Sequence, residues 1–455
     1  MTTKKNVAVI GGGFTGLACA QALREAGHDV SLFERQAHLG GLAAGFRTRH
    51  WEWTLEHFYH HWFSSDAFVR KYARAWGLEA GLRFSRPSTV MQLRGGGFRP
   101  LDSAFALLRY PDMPFVDRVR MGMALARLKV ARDWRAFEGE TAQAWCERWM
   151  GHTGFDAVWR PLLLGKFGEE YAGRVNMAWL WARIACRTPA LGTYEGGFAR
   201  FVEGAGQALA RQGVKIHLGS HLLPLVPVAG GNGSGWTVRS EEGLHETFDA
   251  VVIAASPGAL SALRPKDTTL VESTGAAPSI ASAPVDREPI KNARPLGAQV
   301  VALSLKKPVG RHYWYSLRKS PARPFLALIE HTNFVAREHF DGETIVYLAD
   351  YVDTQRAEWK RTDAELTQLA LDVCRQINPL IVQGDLNESW VFREEYAQPI
   401  PLVHQSTRLP TVEVAGHPGL FHASMSHVYP WDRGTNFALE LGEVVARRIN
   451  SSAAP

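Results

Sequence analysis

Residues 7–34, VAVIGGGFTGLACAQALREAGHDVSLFE, constrain the fold more than any other stretch of this 455-residue chain. Val7, Ala8, Val9 and Ile10 form a short apolar run of buried-strand type. Gly11-x-Gly13-x-x-Gly16 follows, then Leu17, Ala20 and Leu23 at helical spacing, with Gly27 ending the helix. A second strand over residues 29–33 ends on Glu34. The order strand, glycine turn, helix, strand, acid is that of a dinucleotide-binding βαβ unit. Gly11 permits the tight turn, Gly13 lets backbone approach a pyrophosphate, and Gly16 lets helix and strand pack closely. The helix N-terminus offers free N–H groups and the positive end of a dipole. Glu34, eighteen residues past Gly16, can accept two hydrogen bonds from a ribose diol. A glycine-rich surface turn would leave that acid unexplained.

Residues 35–46, RQAHLGGLAAGF, add a Gly40-Gly41 doublet six residues after the acid. Fingerprint, acid and doublet together resemble the FAD-dependent flavoproteins of the amine oxidase and protoporphyrinogen oxidase superfamily, with phytoene desaturases and UDP-galactopyranose mutases as further relatives. Leu42 stands where that group usually has Arg, which weakens a plain amine oxidase reading more than it weakens FAD. The resemblance implies an α/β fold with an N-terminal Rossmann-like FAD-binding domain, an interleaved mixed-sheet substrate domain and a helical cap. It divides the chain into FAD-binding segments at 1–60, 191–265 and 411–455, substrate domain and cap at 61–190, and an antiparallel sheet at 291–410. Residues 266–290, rich in Ser, Ala, Thr and Pro, read as a flexible insertion.

The cofactor contacts implied by the resemblance are Gly11, Gly13, Phe14, Thr15, Gly16, Glu34, Arg35, Gly41 and Leu42 at the first half-site. Leu223 (or Leu225) is implied for adenine through its backbone. Residues 420–436 look like the second half-site, a strand and a loop leading to a helix N-terminus, with Thr435 and Asn436 at the helix start and Asp432 toward the ribityl chain. Such a terminus stabilises negative charge on the reduced flavin. Residues 420–449 hold no Cys, so FAD is expected to be non-covalent.

Residues 55–63, LEHFYHHWF, lie at the distance from the doublet where relatives run beside the flavin ring. On that analogy His57, His60 and His61 face flavin or substrate. Structural histidines in an aromatic core fit the same pattern. A metal fits less well, because no carboxylate or Cys stands at ligand spacing. His57, His60 and Tyr429 are the first candidates for catalysis. Glu330 and His331, at the end of a strand, are a weaker acid/base pair. No metal site is expected.

The net charge of +6 favours anionic substrates or an anionic membrane surface, and no nucleic-acid-binding motif is present. Residues 115–149 read as a basic amphipathic helical block. It is either a solvated face or a lid meeting a membrane or a lipid-like anionic substrate. Four scattered cysteines without CxxC fit a reducing, cytoplasmic compartment. The first strand begins within a few residues of Met1, which leaves no room for a signal peptide, and no apolar run of transmembrane length is visible. Peripheral contact with the inner face of the membrane stays open, as does oligomeric state. Three functions follow. The first is an FAD-dependent oxidoreductase passing a hydride from a small-molecule or lipid-like substrate to flavin N5. The second is a mutase-like isomerase using reduced FAD on a nucleotide or lipid-linked sugar. The third is a non-catalytic FAD-binding partner.

Overall fold

A computed structural model describes residues 3–228, 235–265 and 294–451; the expected insertion at 266–290 lies outside them. The N-terminal strand Asn6–Ile10 is the centre of a five-stranded sheet. Its order is Lys215–His217, Asp29–Phe33, Asn6–Ile10, Ala250–Ile253 and Leu420–His422, and every pair is parallel. The central strands are apolar on both faces because both faces are covered. On one side lie the helices Phe14–Glu25, Phe198–Arg211 and Thr435–Ser451, around Leu17, Leu23, Phe198, Phe201 and Val445. Each such fully buried leucine or phenylalanine contributes about 1.5–3 kcal/mol. On the other side a small antiparallel sheet, Val226–Pro227, Trp236–Arg239 and His245–Phe248, seats Trp236 and Phe248 against Phe33.

The two helices that begin at the cofactor-side edge touch backbone to backbone. A Cβ at Gly442 would lie 2.5 Å from the Thr15 carbonyl oxygen, so only glycine permits this approach. Chain segments more than four hundred residues apart thereby pack the start of the first helix against the middle of the last.

The substrate-side unit is a seven-stranded sheet in the order Leu386–Gln398, Leu296–Leu305, Thr344–Val352, Ala327–Glu330, Trp314–Ser316, Thr89–Gln92 and Phe98–Pro100. It is antiparallel except where Trp314–Ser316 runs parallel to Thr89–Gln92. One face is closed by the capping-box helix Asp363–Ile377 through Leu366, Leu371 and Val373. The other carries Tyr313, Tyr347, Ala349 and Val300, against Trp51 and Leu55. The strand Leu386–Gln398 is long because the ten-residue strand Leu296–Leu305 pairs with it along nearly its whole length. One expectation changes here. The helical block expected over 115–149 is broken into Phe115–Val130, Arg135–Glu138 and Ala142–Met150, since Ala131 turns extended and Thr141 caps a fresh helix through the Ala144 amide.

These helices, with Arg160–Ala172 and Met177–Cys186, form the cap around Trp145, Phe155, Phe167, Trp179 and Trp181. Asn176 fixes the start of the last of them by accepting the Trp179 amide at 2.9 Å. Among the described residues no helix is long and apolar enough to cross a membrane.

Candidate functional site

The three fingerprint glycines do different work. Gly11 has φ +110°, and a Cβ there would come within 2.5 Å of the Ala254 carbonyl oxygen. A Cβ at Gly16 would lie 1.9 Å from the Gly11 carbonyl oxygen. Both glycines are demanded by the fold. Gly13 is extended, φ −77° and ψ 178°, and its Cβ would meet nothing closer than Gly41 Cα at 3.9 Å. The protein leaves that space clear, which is what a pyrophosphate lying on the backbone requires. The helix Phe14–Glu25 has no side-chain cap and no acid in its first turn, so its terminal amides are free for an anion.

The doublet completes this wall. Gly40 (φ +123°) donates its amide to the Gly12 carbonyl at 2.9 Å, and Gly41 (φ +56°) stands over Gly13. Glu34 accepts the Gly12 amide at 2.7 Å and the Gln36 amide at 2.8 Å, which fixes its carboxylate at the mouth of the turn. Arg35 is exposed beside it, and Leu42 lies in the short turn Gly41–Ala43. Phe14 is buried and stacks on Phe201 at 5.9 Å, while Thr15 faces Gly442 with its carbonyl. These clear spaces and free amides fit the adenosine and diphosphate portions of FAD. Leu223 gives its amide to the Arg239 carbonyl, so only its carbonyl is left for adenine. The segment that runs beside Glu34 is instead 217–220, through Glu34 N–H to the His217 carbonyl and Ser220 N–H to the Glu34 carbonyl.

At the second half-site, Thr435 accepts Trp62 Nε1 at 2.8 Å, tying the start of the C-terminal helix to the histidine-rich segment. Asn436 is buried, and its Oδ1 accepts the amides of Phe68 and Val69 at 2.9 and 3.3 Å; its side chain serves the helix Ala67–Ala75, leaving its backbone for a cofactor.

The segment 55–63 passes between the two units. Glu56 is buried, accepts the Phe198 amide at 2.9 Å, and receives the Tyr347 hydroxyl on its carbonyl at 2.7 Å. Burial pushes its carboxyl up to about 7. His57 packs against both Phe46 and Phe392, ring centroids 5.6 and 4.6 Å away, and burial lowers its pKa. His60 is held at the Phe58 carbonyl, and burial brings it down to about 4. His61 lies 3.4 Å from the Tyr313 hydroxyl and falls to about 3 through burial and the nearby charge of Arg187. All three imidazoles are therefore neutral near pH 7, and His60 and His61 are weak bases. Tyr59, between Trp314 and Tyr347, bonds Arg433.

Beside Tyr59 stands a cluster that sequence reasoning missed. Asp432 receives Lys166 Nζ on both oxygens at 2.9 Å, Trp179 Nε1 at 2.6 Å, and Arg183. Lys166 is 1% exposed. Burial works against the Asp432 charge, but Lys166, Arg183 and Arg433 outweigh it and hold the carboxyl well below the usual range. Burial, with Arg183 and Arg433 adding to it, pushes the Lys166 ammonium well below its ordinary value. Arg433 stacks on Tyr351 at 4.8 Å. Arg187, next to Arg183, is lowered to about 9 by that neighbour's charge and by burial. Arg187 is exposed, and Arg433, Tyr59, His60 and His61 are partly exposed. These side chains come from the end of the cap helix Met177–Cys186, the histidine-rich segment and the loop before the C-terminal helix.

The histidine-rich segment thus links the two half-sites, His57 N–H bonding the Ala44 carbonyl just after the doublet and Trp62 bonding Thr435. Tyr429 points into the cap, where its hydroxyl accepts Asn176 Nδ2 at 2.9 Å beside Glu138 and its ring packs on Trp134. Asp432, expected at the ribityl chain, spends its carboxylate on the cap cations. Glu330 and His331 are buried in the sheet, Glu330 on the Gly310 amide at 2.7 Å and His331 against Phe340 and Tyr347. An open cavity of about 330 Å³, lined by Arg94, Arg160, Arg318 and Asp156, contains none of the fingerprint, histidine or C-terminal loop residues and is not this site. The missed cations did leave a sequence signal: a lone Lys in the run Leu162-Leu163-Leu164-Gly165-Lys166-Phe167, and two Arg four apart in the apolar stretch 177–187.

Residues 14–450 match the model of the flavin-containing amine oxidoreductase family. A hydroxysqualene dehydroxylase from Sinorhizobium fredii is 29% identical over 57% of this chain; the match spans 64% of that relative, short of two thirds of its length. Among solved structures, a protein assigned as protoporphyrinogen oxidase from Exiguobacterium sp. 255-15 superposes with a TM-score of 0.71 at 16% identity, covering 99% of both chains. Reduced UDP-galactopyranose mutase superposes with a TM-score of 0.69 at 15% identity, over 98% of this chain and 99% of that one. At such identities these two structures show a shared fold.

Proposed function

The chain belongs to the flavin-containing amine oxidoreductase family, whose cofactor is FAD, and on that premise we propose that it is an FAD-dependent oxidoreductase that moves a hydride from an organic substrate to the flavin. The observation that supports this reading is the histidine-rich segment joined at one end to the glycine doublet, through His57 N–H to the Ala44 carbonyl, and at the other to the helix starting at Thr435, through Trp62 Nε1. Bound FAD supplies the two-electron acceptor, with N5 taking hydride from a substrate C–H.

The chain supplies the surroundings. Gly11, Gly13, Gly16 and the first-turn amides seat the diphosphate, and Glu34 orients the ribose. The N-terminus of Thr435–Ser451, fixed by Trp62, holds partial positive charge toward the flavin pyrimidine. Tyr59, Trp314, Tyr347, Phe46 and Phe392 make the walls apolar and aromatic, which keeps water from the reacting carbon. His60 and His61, kept neutral by burial, position a substrate by hydrogen bonds and add no charge that would repel a cationic donor.

The test is an anaerobic titration of the purified flavoprotein with amines, porphyrinogens and lipid-like donors. Bleaching of the visible flavin band by a donor, with no other reductant present, supports the reading. No bleaching by any donor class, with FAD bound, contradicts it. The unbalanced cations around Asp432 also favour a second reading, an isomerase in which reduced FAD acts on a nucleotide or lipid-linked sugar. Turnover that appears only after prior reduction by dithionite, without net oxidation of substrate, would select that second reading.

A further inference from the structure

Asp432 is the one carboxylate that faces Lys166, Arg183, Arg187 and Arg433 among the described residues. Tyr59 and Tyr351 also face them, and burial keeps both hydroxyls protonated. Even with Lys166 neutral, three guanidiniums share one negative charge. Arg183 and Arg433 are only partly exposed and Arg187 is exposed beside them, an excess of cation that an anionic ligand would balance. Arg187 has no hydrogen-bond or ion-pair partner for its guanidinium among the described residues, and it is exposed on the side where Tyr59 lies close to it.

The cluster is built. Lys129 Nζ holds the carbonyls of Ala185 and Arg187 at 3.2 and 2.6 Å, fixing the end of the helix that presents Arg183 and Arg187. Arg433 comes from the opposite side, from the loop that opens the flavin-side helix, and is braced by Tyr351 and Tyr59. We infer that the substrate carries an oxyanion group, phosphate or carboxylate, seated between Arg183, Arg187 and Arg433, which places the rest of the molecule against the histidine and aromatic wall. This rests on the reading of the histidine-rich segment as the substrate side of the flavin. Guanidiniums are suited to it by their planar, paired donors.

The experiment is calorimetric titration of the FAD-loaded protein at low salt with inorganic pyrophosphate, inorganic phosphate and succinate, repeated with Arg187→Met and Arg183→Met. Flavin content is followed by the visible spectrum. Wild-type protein should bind at least one of these anions, and each variant should bind about ten- to hundredfold more weakly while keeping flavin. Preference for pyrophosphate or phosphate over succinate identifies a phosphorylated substrate, and the reverse a carboxylate. Absence of anion binding overturns the inference, as does unchanged affinity in both variants. Anion binding seen only after FAD removal, or loss of flavin from both variants, also overturns it, because the guanidiniums would then serve the cofactor's own diphosphate. Reduction of the flavin by a neutral donor with no anion site refutes this inference alone. An intact anion site with no donor able to bleach the flavin refutes only the redox reading.

A different observation carries a second proposal. Phe105, Leu108, Phe115, Val116, Val119, Met123, Val130 and Trp149 are all exposed, from 36% to 76%, and all belong to the cap. On the helix Phe115–Val130, positions 116, 119/120, 123, 127 and 130 fall on one face, alternating apolar side chains with Arg120 and Arg127. Arg127 stacks on Trp149 at 4.6 Å and Arg109 on Phe105 at 4.0 Å. Residues 94–135 hold nine lysines and arginines against four aspartates, most of the chain's net charge of +6. We propose that this face docks on an anionic lipid bilayer, apolar side chains entering the headgroup boundary and arginines meeting lipid phosphates. Co-sedimentation of the holoprotein with vesicles of phosphatidylcholine alone, or with added phosphatidylglycerol, tests it. Binding to the anionic vesicles, weakened severalfold by Phe115→Ser/Met123→Ser and by Arg120→Gln/Arg127→Gln, is expected. Equal recovery in the supernatant with both vesicles overturns it, as does a stable dimer in solution that the apolar double variant dissociates.

Discussion

Asp432→Asn isolates the electrostatics of the site with almost no change of shape. The carboxylate takes two contacts from Lys166 at 2.9 Å, one from Trp179 at 2.6 Å and one from Arg183, with Arg433 close by. An amide keeps the volume but leaves these cations unpaired in the interior and points its own N–H groups at one of them. Removing one partner of a buried pair costs about 3–5 kcal/mol, and here one carboxylate answers several cations, so the upper part of that range is expected. Lys166→Met in the same chain removes one stranded charge and keeps most of the packing, and should recover about 1–3 kcal/mol. The assay is denaturant unfolding of wild type, both single variants and the double variant, followed by tryptophan fluorescence. The sign with pH follows from the lowered Asp432 pKa. Its contribution is complete above the ordinary carboxylate value of about 3.9 and disappears only as pH falls through the lower native value. The wild-type advantage should therefore persist well into acid. A single variant within about 0.5 kcal/mol of wild type, or a double variant less stable than Asp432→Asn, would refute the reasoning.

Two glycine variants separate fold from cofactor. Gly13→Ala places its Cβ no closer than 3.9 Å to the nearest atom, Gly41 Cα, and needs no unusual φ, so it should fold with the melting behaviour of wild-type apoprotein yet purify depleted of flavin. Gly16→Val drives a side chain into the Gly11 carbonyl and should lose about 3 kcal/mol or more, or fail to fold, as read by expression and denaturation. Glu56 gives a pH prediction. Burial keeps it protonated up to about 7 in the native chain, whereas an unfolded glutamate releases its proton near 4.3, about two to three pH units lower. The native state binds more protons in that window, so stability falls as pH rises through it, by roughly 3 kcal/mol, and levels off above. Glu56→Gln should flatten that part of the stability profile, and an unchanged slope would show that Glu56 ionises freely.

The nucleotide half of the site was legible because its chemistry is local. Strand, glycine turn, helix and acid follow one another within residues 7–34, and the doublet that closes over Gly13 comes only a few residues later. The helix Asp363–Ile377 likewise starts on a local device, the capping box of Thr362 and Glu365 three residues apart. Legibility ended where partners are distant. Lys166 and Asp432 are 266 positions apart, so neither announces the other, and a lysine among leucines reads as a helix surface until the fold buries it. Asn436 sits where a cofactor contact was expected, but its side chain meets Phe68 and Val69 amides that sequence spacing cannot place. Tyr429 lies seven residues before Asn436, yet Asn176 and Trp134 turn it into the cap. The fold could be read from periodicity and glycine placement; the charge balance of the site depends on which distant side chains the fold brings together.

The most direct test of the account is the visible absorption spectrum of the purified protein, recorded before and after acid precipitation. The account predicts a two-band flavin spectrum whose colour passes wholly into the supernatant, as non-covalent FAD. Colour retained in the precipitate would mean a covalent link that the cysteine-free C-terminal segment gives no reason to expect. A colourless protein that FAD cannot reconstitute would contradict the central claim, because the clear space over Gly13 would then await a different dinucleotide.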